Sequence, residues 1–412
     1  MKREKTDVLV IGAGPSGTVA ASMVNKGGLK VKIVEKQKFP RFVIGESLLP
    51  RCMEALEAAG FIDAIKSHGF QEKAGAKFKR GHELCDFNFT DQFTKGWTWT
   101  WQVQRAEFDM VLANEVQKMG VPVDFETEVT AIRFHGSDSI TTVKYPDGTE
   151  SEIEARFIID ASGYGRVMPK LFNLDKPSSL PPRKTLFAHV KDIRRNDYDE
   201  PNRIIIISHA PGVWVWVIPF LNGTTSVGFV GNPEFFEQFS GTPEEKFRAM
   251  LASEVNTSVR FRDVELVFEP RTIEGWSVTT DKFHGDGFVL TGNVTEFLDP
   301  IFSSGVTLAT VSGHRAGQLV VRQLNGEKID WNKEFTEPTM QGVNVFRTYV
   351  MSWYDGSLPS IFYSKNQNQD IKKMICSVLA GYVWDLENPY VRKHDRSIKT
   401  LAEVVKLESQ TI

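Results

Sequence analysis

Apolar and polar positions change period repeatedly along this chain, and most of the changes fall at glycines. Residues 7–11, reading DVLVI, form a short apolar run rich in Val and Ile, as a buried parallel strand does. An Ala-rich helical pattern follows at once, Gly27 and Gly28 stop it, and residues 31–34 predict a second strand. After a loop over 36–46, Ser47 is placed to cap a helix over 48–59 that Gly60 ends; a shorter helix over 62–67 runs up to Gly69. Residues 77–89 alternate loosely. Trp97, Trp99 and Trp101 alternate strictly with Thr98 and Thr100, which predicts three indoles on one face of a strand. Helical spacing returns over 107–118 and stops at Gly120.

Residues 129–134 and 141–145 read as strands, and Pro146-Asp147-Gly148 is a turn before another. The apolar run 156–160 ends in Asp160-Ala161-Ser162-Gly163 and looks like a return to the first sheet. From 186 to 269 strands dominate, at 186–190, 203–208, 213–218 and 225–230, with a helical interruption near 243–252. Residues 288–291 return to the first sheet, 305–325 are helical, and 331–412 keep helical spacing with several aromatics. This order predicts an α/β protein with a Rossmann-type domain assembled from 1–75, 102–175 and 276–330. A mainly β substrate domain over 76–101 and 176–275 is inserted into it, and 331–412 form a C-terminal helical cap.

At 412 residues the chain can bury a sizeable core. Charged residues are 25% and the formal net charge is -3, which argues against nucleic acid or a membrane surface as the main partner. No apolar segment is long enough to span a bilayer, and the charged N-terminus runs straight into a strand, unlike a signal peptide. The three cysteines, Cys52, Cys85 and Cys376, form no CxxC pair, so a reduced cytoplasm and buried thiols are expected. The eight histidines show no metal-ligand spacing, and no metal is expected.

Gly12, Gly14 and Gly17 fall in GxGxxG spacing between the first strand and the first helix. Alone, such glycines often only make turns. Here the context predicts a dinucleotide: Gly12 for the tight turn, Gly14 for the approach of a pyrophosphate, Gly17 for helix-on-strand packing. The helix N-terminus offers N–H groups to the phosphates, and Glu35, ending the second strand, can accept from both ribose hydroxyls. This fingerprint does not separate NAD from FAD. A second stretch, Gly285 to Gly292-Asn293 and on through Phe297, Pro300, Ser303, Ser304, Gly305 and Val306, does better. A strand followed by Gly and a polar residue can hydrogen-bond a ribityl chain, and the Ser/Gly segment opens a helix able to face a reduced flavin ring or a halide.

On these residues, together with the Arg41…Gly45-Glu46-Ser47 loop, Arg105 and the 160–163 turn, the chain resembles the p-hydroxybenzoate hydroxylase-like FAD superfamily over residues 7–325. Asn293 stands where that superfamily usually has Asp, keeping an acceptor and losing the charge. Within the superfamily it resembles the flavin-dependent halogenases. Trp214-Val215-Trp216-Val217-Ile218-Pro219 is similar to their WxWxIP, and Phe297, Pro300, Ser303 and Gly305 to their FxxPxxSxG. Residues 69–76, GFQEKAGA, resemble the segment bearing the catalytic lysine in the phenol and pyrrole branch.

The resemblance implies FAD, reduced by a separate flavin reductase, held by Gly12, Gly14, Pro15, Ser16, Gly17, Glu35, Lys36, Arg41, Gly45, Glu46, Ser47, Arg105, Gly292, Asn293, Pro300, Ser303, Ser304, Gly305 and Val306, with a halide ion at Ser304 and Gly305. It implies oxidation of the halide through a flavin C4a-hydroperoxide and capture of hypohalous acid at Lys73. The substrate is then an electron-rich aromatic, a phenol or pyrrole, free or on an acyl carrier protein. Trp214 and Trp216 act as a wall between that substrate and the flavin, although a Trp pair in a sheet is ordinarily core packing. Lys73, beside Glu72, Lys77 and Lys79, reads locally as a solvated lysine; Arg105 is a candidate for a phosphate, and Glu46 for orienting the loop backbone. An FAD-dependent monooxygenase, a geranylgeranyl-reductase-like enzyme and a flavoprotein without turnover share this architecture.

Overall fold

The computed structural model describes residues 2–178 and 180–410. Among these residues the strands form four sheets. The largest has the order His284–Gly285, Phe288–Leu290, Glu150–Asp160, Lys2–Ile11, Val31–Val34, Val123–Asp124, with Asp138–Lys144 and Glu128–His135 extending it from Glu150–Asp160. Its central pairings are parallel. Val8, Leu9, Val10, Ile33 and Ile158 are fully buried, as the apolar run required. Ile11 lies opposite both Asp160 and Val34, and Asp160 opposite Leu290, so these strands end level at one edge. Open parallel sheets bind ligands at that edge.

Two helices rise from it. Pro15–Lys26 follows the glycine turn, and Ser304–Leu324 packs against it. The packing is close: a methyl at Gly313 would lie 2.3 Å from the Ser16 carbonyl oxygen, and one at Gly317 would lie 2.7 Å from that of Ala20.

A seven-stranded sheet has the order Arg271–Glu274, Lys184–Lys191, Thr224–Gly231, Val213–Pro219, Ile205–Ala210, Gly75–Arg80, Glu83–Asn88. Alternate residues face its two sides. Val215, Val217 and Phe229 pack on Phe247, Met250 and Leu251 of the helix Pro243–Ser253. Trp214, Trp216 and Ile206 turn the other way, toward a core shared with Phe346, Tyr349 and Trp353 of the helix Glu337–Tyr354. Three-stranded and two-stranded sheets complete the set: Asp175–Lys176, Val278–Thr280 and Glu296–Phe297 in one, Gln71–Lys73 and Thr100–Gln102 in the other.

Two sequence expectations are corrected here. The helix expected over 48–59 is Cys52–Ala59, and Ser47 does not cap it. Ser47 pairs with Gln102, Leu48 N–H donates to the Trp101 carbonyl at 3.1 Å, and Pro50 precedes the helix, so 47–51 are committed to tertiary partners. The strand expected through all three indoles is confined to Thr100–Gln102. Trp97, Trp99 and Trp101 still meet edge to face, with centroids 5.5 and 5.0 Å apart, but only the last stands on paired backbone.

Gly17 carries the first turn. A methyl there would lie 1.9 Å from the Gly12 carbonyl oxygen. Gly17→Ala is therefore expected to destabilise the fold by roughly 1–3 kcal/mol or more through overpacking, read from the urea midpoint at unchanged slope.

Candidate active site

The level strand ends, the two helix N-termini and one face of the seven-stranded sheet enclose a cavity of about 720 Å³. Of the residues singled out from the sequence, Gly12, Gly14, Pro15, Ser16, Glu35, Lys36, Arg41, Gly45, Glu46, Ser47 and Arg105 line it. So do Trp214, Trp216, Asn293, Pro300, Ser303, Gly305 and Val306. Gly17, Gly292, Ser304 and Lys73 are outside the lining. Gly17 packs beneath the turn, Gly292 N–H donates to Ser312 Oγ at 2.9 Å, and Ser304 is buried as the first residue of its helix.

The cavity has the features a dinucleotide needs. Gly14 caps the helix Pro15–Lys26 without a side-chain hydrogen bond, leaving first-turn N–H groups free for an anion. A methyl on Gly14 would meet only Arg41 Nη2, at 3.6 Å, so this glycine keeps space clear rather than serving the fold. Glu35 is held in place: Oε2 accepts from Ala13 N–H at 3.0 Å and Oε1 from Gln37 N–H at 2.9 Å. A carboxylate oxygen has further lone pairs for ribose hydroxyls. The helix Ser304–Leu324 is also uncapped by a side chain, and Ser303 before it is left-handed, with φ 57°. Its N–H groups at Gly305 and Val306 start a second positive helix end on the same cavity.

The loop over 41–47 is fixed by Asp109, a residue the sequence reading missed. Its buried carboxylate accepts from Arg105 Nε at 2.8 Å and Nη2 at 3.0 Å, and from Arg41 Nη1 at 2.9 Å. Arg105 Nη1 also donates to the Ile44 carbonyl at 3.1 Å. Arg105 thus lines the cavity while holding the loop directly through Nη1 and, through Nε and Nη2, the Asp109 carboxylate that also binds Arg41. Glu46 does not orient the loop backbone as expected. Its Oε1 lies 2.6 Å from His189 Nε2, a contact with the seven-stranded sheet, because both side chains are buried and each needs a polar partner. Neither Asp109 nor His189 has a local motif, though Asp109 stands at i+4 from Arg105 on the helix Arg105–Lys118.

Lys73 is the largest departure from the local sequence reading. It ends the strand Gln71–Lys73 and is 3% exposed. Its Nζ donates to Ser47 Oγ at 2.8 Å and to the Leu48 carbonyl at 2.7 Å. Ser47 lines the cavity, so the amine stands one hydroxyl behind it. Burial pushes the Lys73 ammonium down to about 7; Cys52 opposes this and Arg203 adds to it. Lys79, expected as a solvated neighbour, is half-buried with Nζ 3.3 Å from Asn256 Oδ1. Trp214 and Trp216 form part of the cavity face, centroids 6.0 Å apart, and the Trp216 indole N–H donates to Ser226 Oγ at 2.9 Å. Gln102 ties this strand to the one that Lys73 ends: its amide donates to the Pro219 carbonyl, and its backbone pairs with Gln71.

The FAD binding domain family matches residues 5–331. A crystal structure of a flavoprotein/dehydrogenase from Cytophaga hutchinsonii is 61% identical, with a TM-score of 0.97 over 98% of this chain and 100% of that one. The 1H-pyrrole-2-carbonyl-[peptidyl-carrier protein] brominase of Pseudoalteromonas luteoviolacea (strain 2ta16) is 25% identical over 92% of this chain and 93% of its own length. Tryptophan 2-halogenase of Chondromyces crocatus is 31% identical over 78% of this chain, and the match spans 62% of that protein. Gly14→Val is expected to leave the urea midpoint near wild type, since the site has room for the side chain's first atoms. FAD binding, read by flavin fluorescence quenching, is expected to fall below detection because that room belongs to the phosphates. The glycine turn, the level strand ends and the two uncapped helices thus sit in a chain that belongs to the FAD binding domain family, groups there with the flavin-dependent halogenases, and is an FAD-dependent oxidoreductase.

Proposed function

We propose that this protein halogenates an electron-rich aromatic, a phenol or a pyrrole, free or tethered to a carrier protein. The observation that carries the reading is Lys73, a buried amine near neutrality held one hydroxyl behind the cavity face. FAD, reduced by a separate flavin reductase, supplies the activation of dioxygen and the oxidation of halide.

The chain's own residues supply placement. Gly14, Ser16 and the first helix hold the pyrophosphate, Glu35 the ribose, and Asn293 the ribityl chain. Halide rests at the N–H groups that open Ser304–Leu324, with Gly305 in the cavity lining and Ser304 behind it. Trp214 and Trp216 close the sheet side, so the organic substrate is kept from the flavin and hypohalous acid is what passes on. Ser47 hands it to Lys73. A neutral amine accepts the halogen as water leaves; the arene then takes the halogen, loses its proton and regenerates the amine. The pyrrole-carrier brominase among the relatives supports a tethered acyl-pyrrole as one substrate.

A second reading, monooxygenation or double-bond reduction, draws support from the cavity itself, which runs without a break from the glycine turn to the sheet face around Ile206 and Trp216. Halide dependence separates the two: product that forms equally well without halide overturns halogenation.

Lys73→Ala is expected to bind FAD and consume oxygen with reduced flavin while halogenated product is lost, the oxidising equivalents appearing as hydrogen peroxide or free hypohalite. Lys73→Arg fails in the same way, because a guanidinium stays protonated. In the wild type, product yield is expected to fall as pH drops through about 7, where the amine gains its proton, while oxygen uptake persists. An unaltered yield from Lys73→Ala removes the lysine from the mechanism.

Trp214→Ala with Trp216→Ala gives the companion test. A breached wall yields hydroxylated product, whereas mere core residues cost stability alone, roughly 3–5 kcal/mol for each indole removed. A folded double variant with the wild-type product profile ends the wall assignment.

A further inference from the structure

Behind the cavity wall, three side chains from separate parts of the fold are joined in one hydrogen-bonded chain. Trp214, on the strand Val213–Pro219, donates from its indole Nε1 to the Tyr354 hydroxyl at 3.0 Å. That hydroxyl donates to Asp299 Oδ2 at 2.9 Å, and Asp299 Oδ1 accepts from Ile301 N–H at 3.2 Å. Tyr354 is the last residue of the helix Glu337–Tyr354. Asp299 caps the short turn Pro300–Phe302, whose Pro300 and Ile301 reach the cavity just before Ser303 and Gly305. The Arg183 guanidinium lies 3.8 Å over the Tyr354 ring and is itself held by the Gly212 carbonyl and Asn232 Oδ1.

Packing alone would need only the ring. A phenol both accepts and donates, so its single hydroxyl sets the rotation of the indole and the position of the turn together. We propose that Tyr354 is a positioning residue, whose hydroxyl holds the Trp214 indole at a fixed spacing from the Asp299 turn, and so holds the sheet face of the cavity against its anion-facing end. The consequence for turnover rests on the halogenation reading above; the positioning does not.

The link is also proton-sensitive. Burial raises the Asp299 carboxyl to about 6, opposed by the Tyr354 hydrogen bond, the Ile301 N–H and the Arg183 charge. Those are the groups facing it: Tyr354 from the helix Glu337–Tyr354, Arg183 from the segment before Lys184–Lys191, and the backbone of its own turn. Above that pH the carboxylate is a strong acceptor for Tyr354; below it the carboxyl carries its own proton and the bond weakens.

The test uses FAD-loaded protein with ¹⁵N-labelled indoles, the Trp214 resonance being assigned through Trp214→Phe. In wild type the Trp214 N–H is expected to shift with pH, with a midpoint near 6. Tyr354→Phe keeps the ring under Arg183 and removes both hydrogen bonds. Its Trp214 N–H is expected to move upfield and to exchange with solvent about tenfold faster, as for one lost net hydrogen bond. Asp299→Asn is expected to abolish the pH-dependent shift. Product formed per reduced flavin is expected to drop about tenfold in Tyr354→Phe, with FAD affinity held within about twofold. A Trp214 resonance that is the same in wild type and Tyr354→Phe overturns the proposal, as does a wild-type resonance that ignores pH. Should Tyr354→Phe not fold, Asp299→Asn decides: an undiminished titration overturns the proposal. Should wild type give no halogenated product, the proposed function falls and the resonance still decides the positioning.

Discussion

One buried carboxylate holds much of the site together. Asp109 is fully enclosed and meets two guanidiniums, Arg41 from the loop and Arg105 from its own helix. A charge taken out of water on these terms adds little to stability compared with an apolar replacement. It adds geometry instead. Removing any member strands the others, so the loop over 41–47 has one position relative to the helix Arg105–Lys118. From that position follow Glu46 against His189, Ser47 against Gln102, and through Ser47 the seat of Lys73. The loop joins the sheet that carries the glycine turn to the sheet that carries Trp214 and Trp216.

The cavity is therefore bounded by parts of different stiffness. On the nucleotide side lie two helices in backbone contact, both pointing their free N–H groups inward. Opposite is a sheet face whose indoles are fastened at their edges, Trp216 to Ser226 and Trp214 to Tyr354. Between them run the 41–47 loop and the Pro300–Phe302 turn. Acids and bases both reach the cavity, Glu35 and Glu46 beside Arg41 and Arg105, but each of these four is held by a partner in the protein, whereas the N–H groups opening the two helices have no side-chain cap.

Much of this could be read from the chain because it is encoded locally. A strand, three spaced glycines and an acid lie within residues 7–35, and a local signal is enough to place a turn and a helix end. WVWVIP likewise announces a strand by its period. What escaped is what contacts across the fold decide. Ser47 looked like a cap because nothing nearby shows that Gln102 will pair with it. Glu46 and His189 stand 143 positions apart. Lys73 has charged neighbours in sequence, and only the pairing of its short strand with Thr100–Gln102 takes it out of water. The indole run alternates correctly, yet a strand also needs a partner, and Gln71–Lys73 is long enough for three residues.

The interleaving of the two large sheets bears on how the chain is made. Phe288–Leu290 joins the first sheet only after the whole seven-stranded sheet has been translated, and that sheet in turn takes in the early hairpin Gly75–Arg80 and Glu83–Asn88. A nascent chain leaving the ribosome must carry Lys2–Ile11 and its parallel neighbours for well over a hundred residues with one flank uncovered. Non-local pairing of this kind is slow to form. Neither sheet can be excised as a contiguous gene fragment, and recombination that swaps one of them between relatives needs four crossovers, because their segments alternate along the chain.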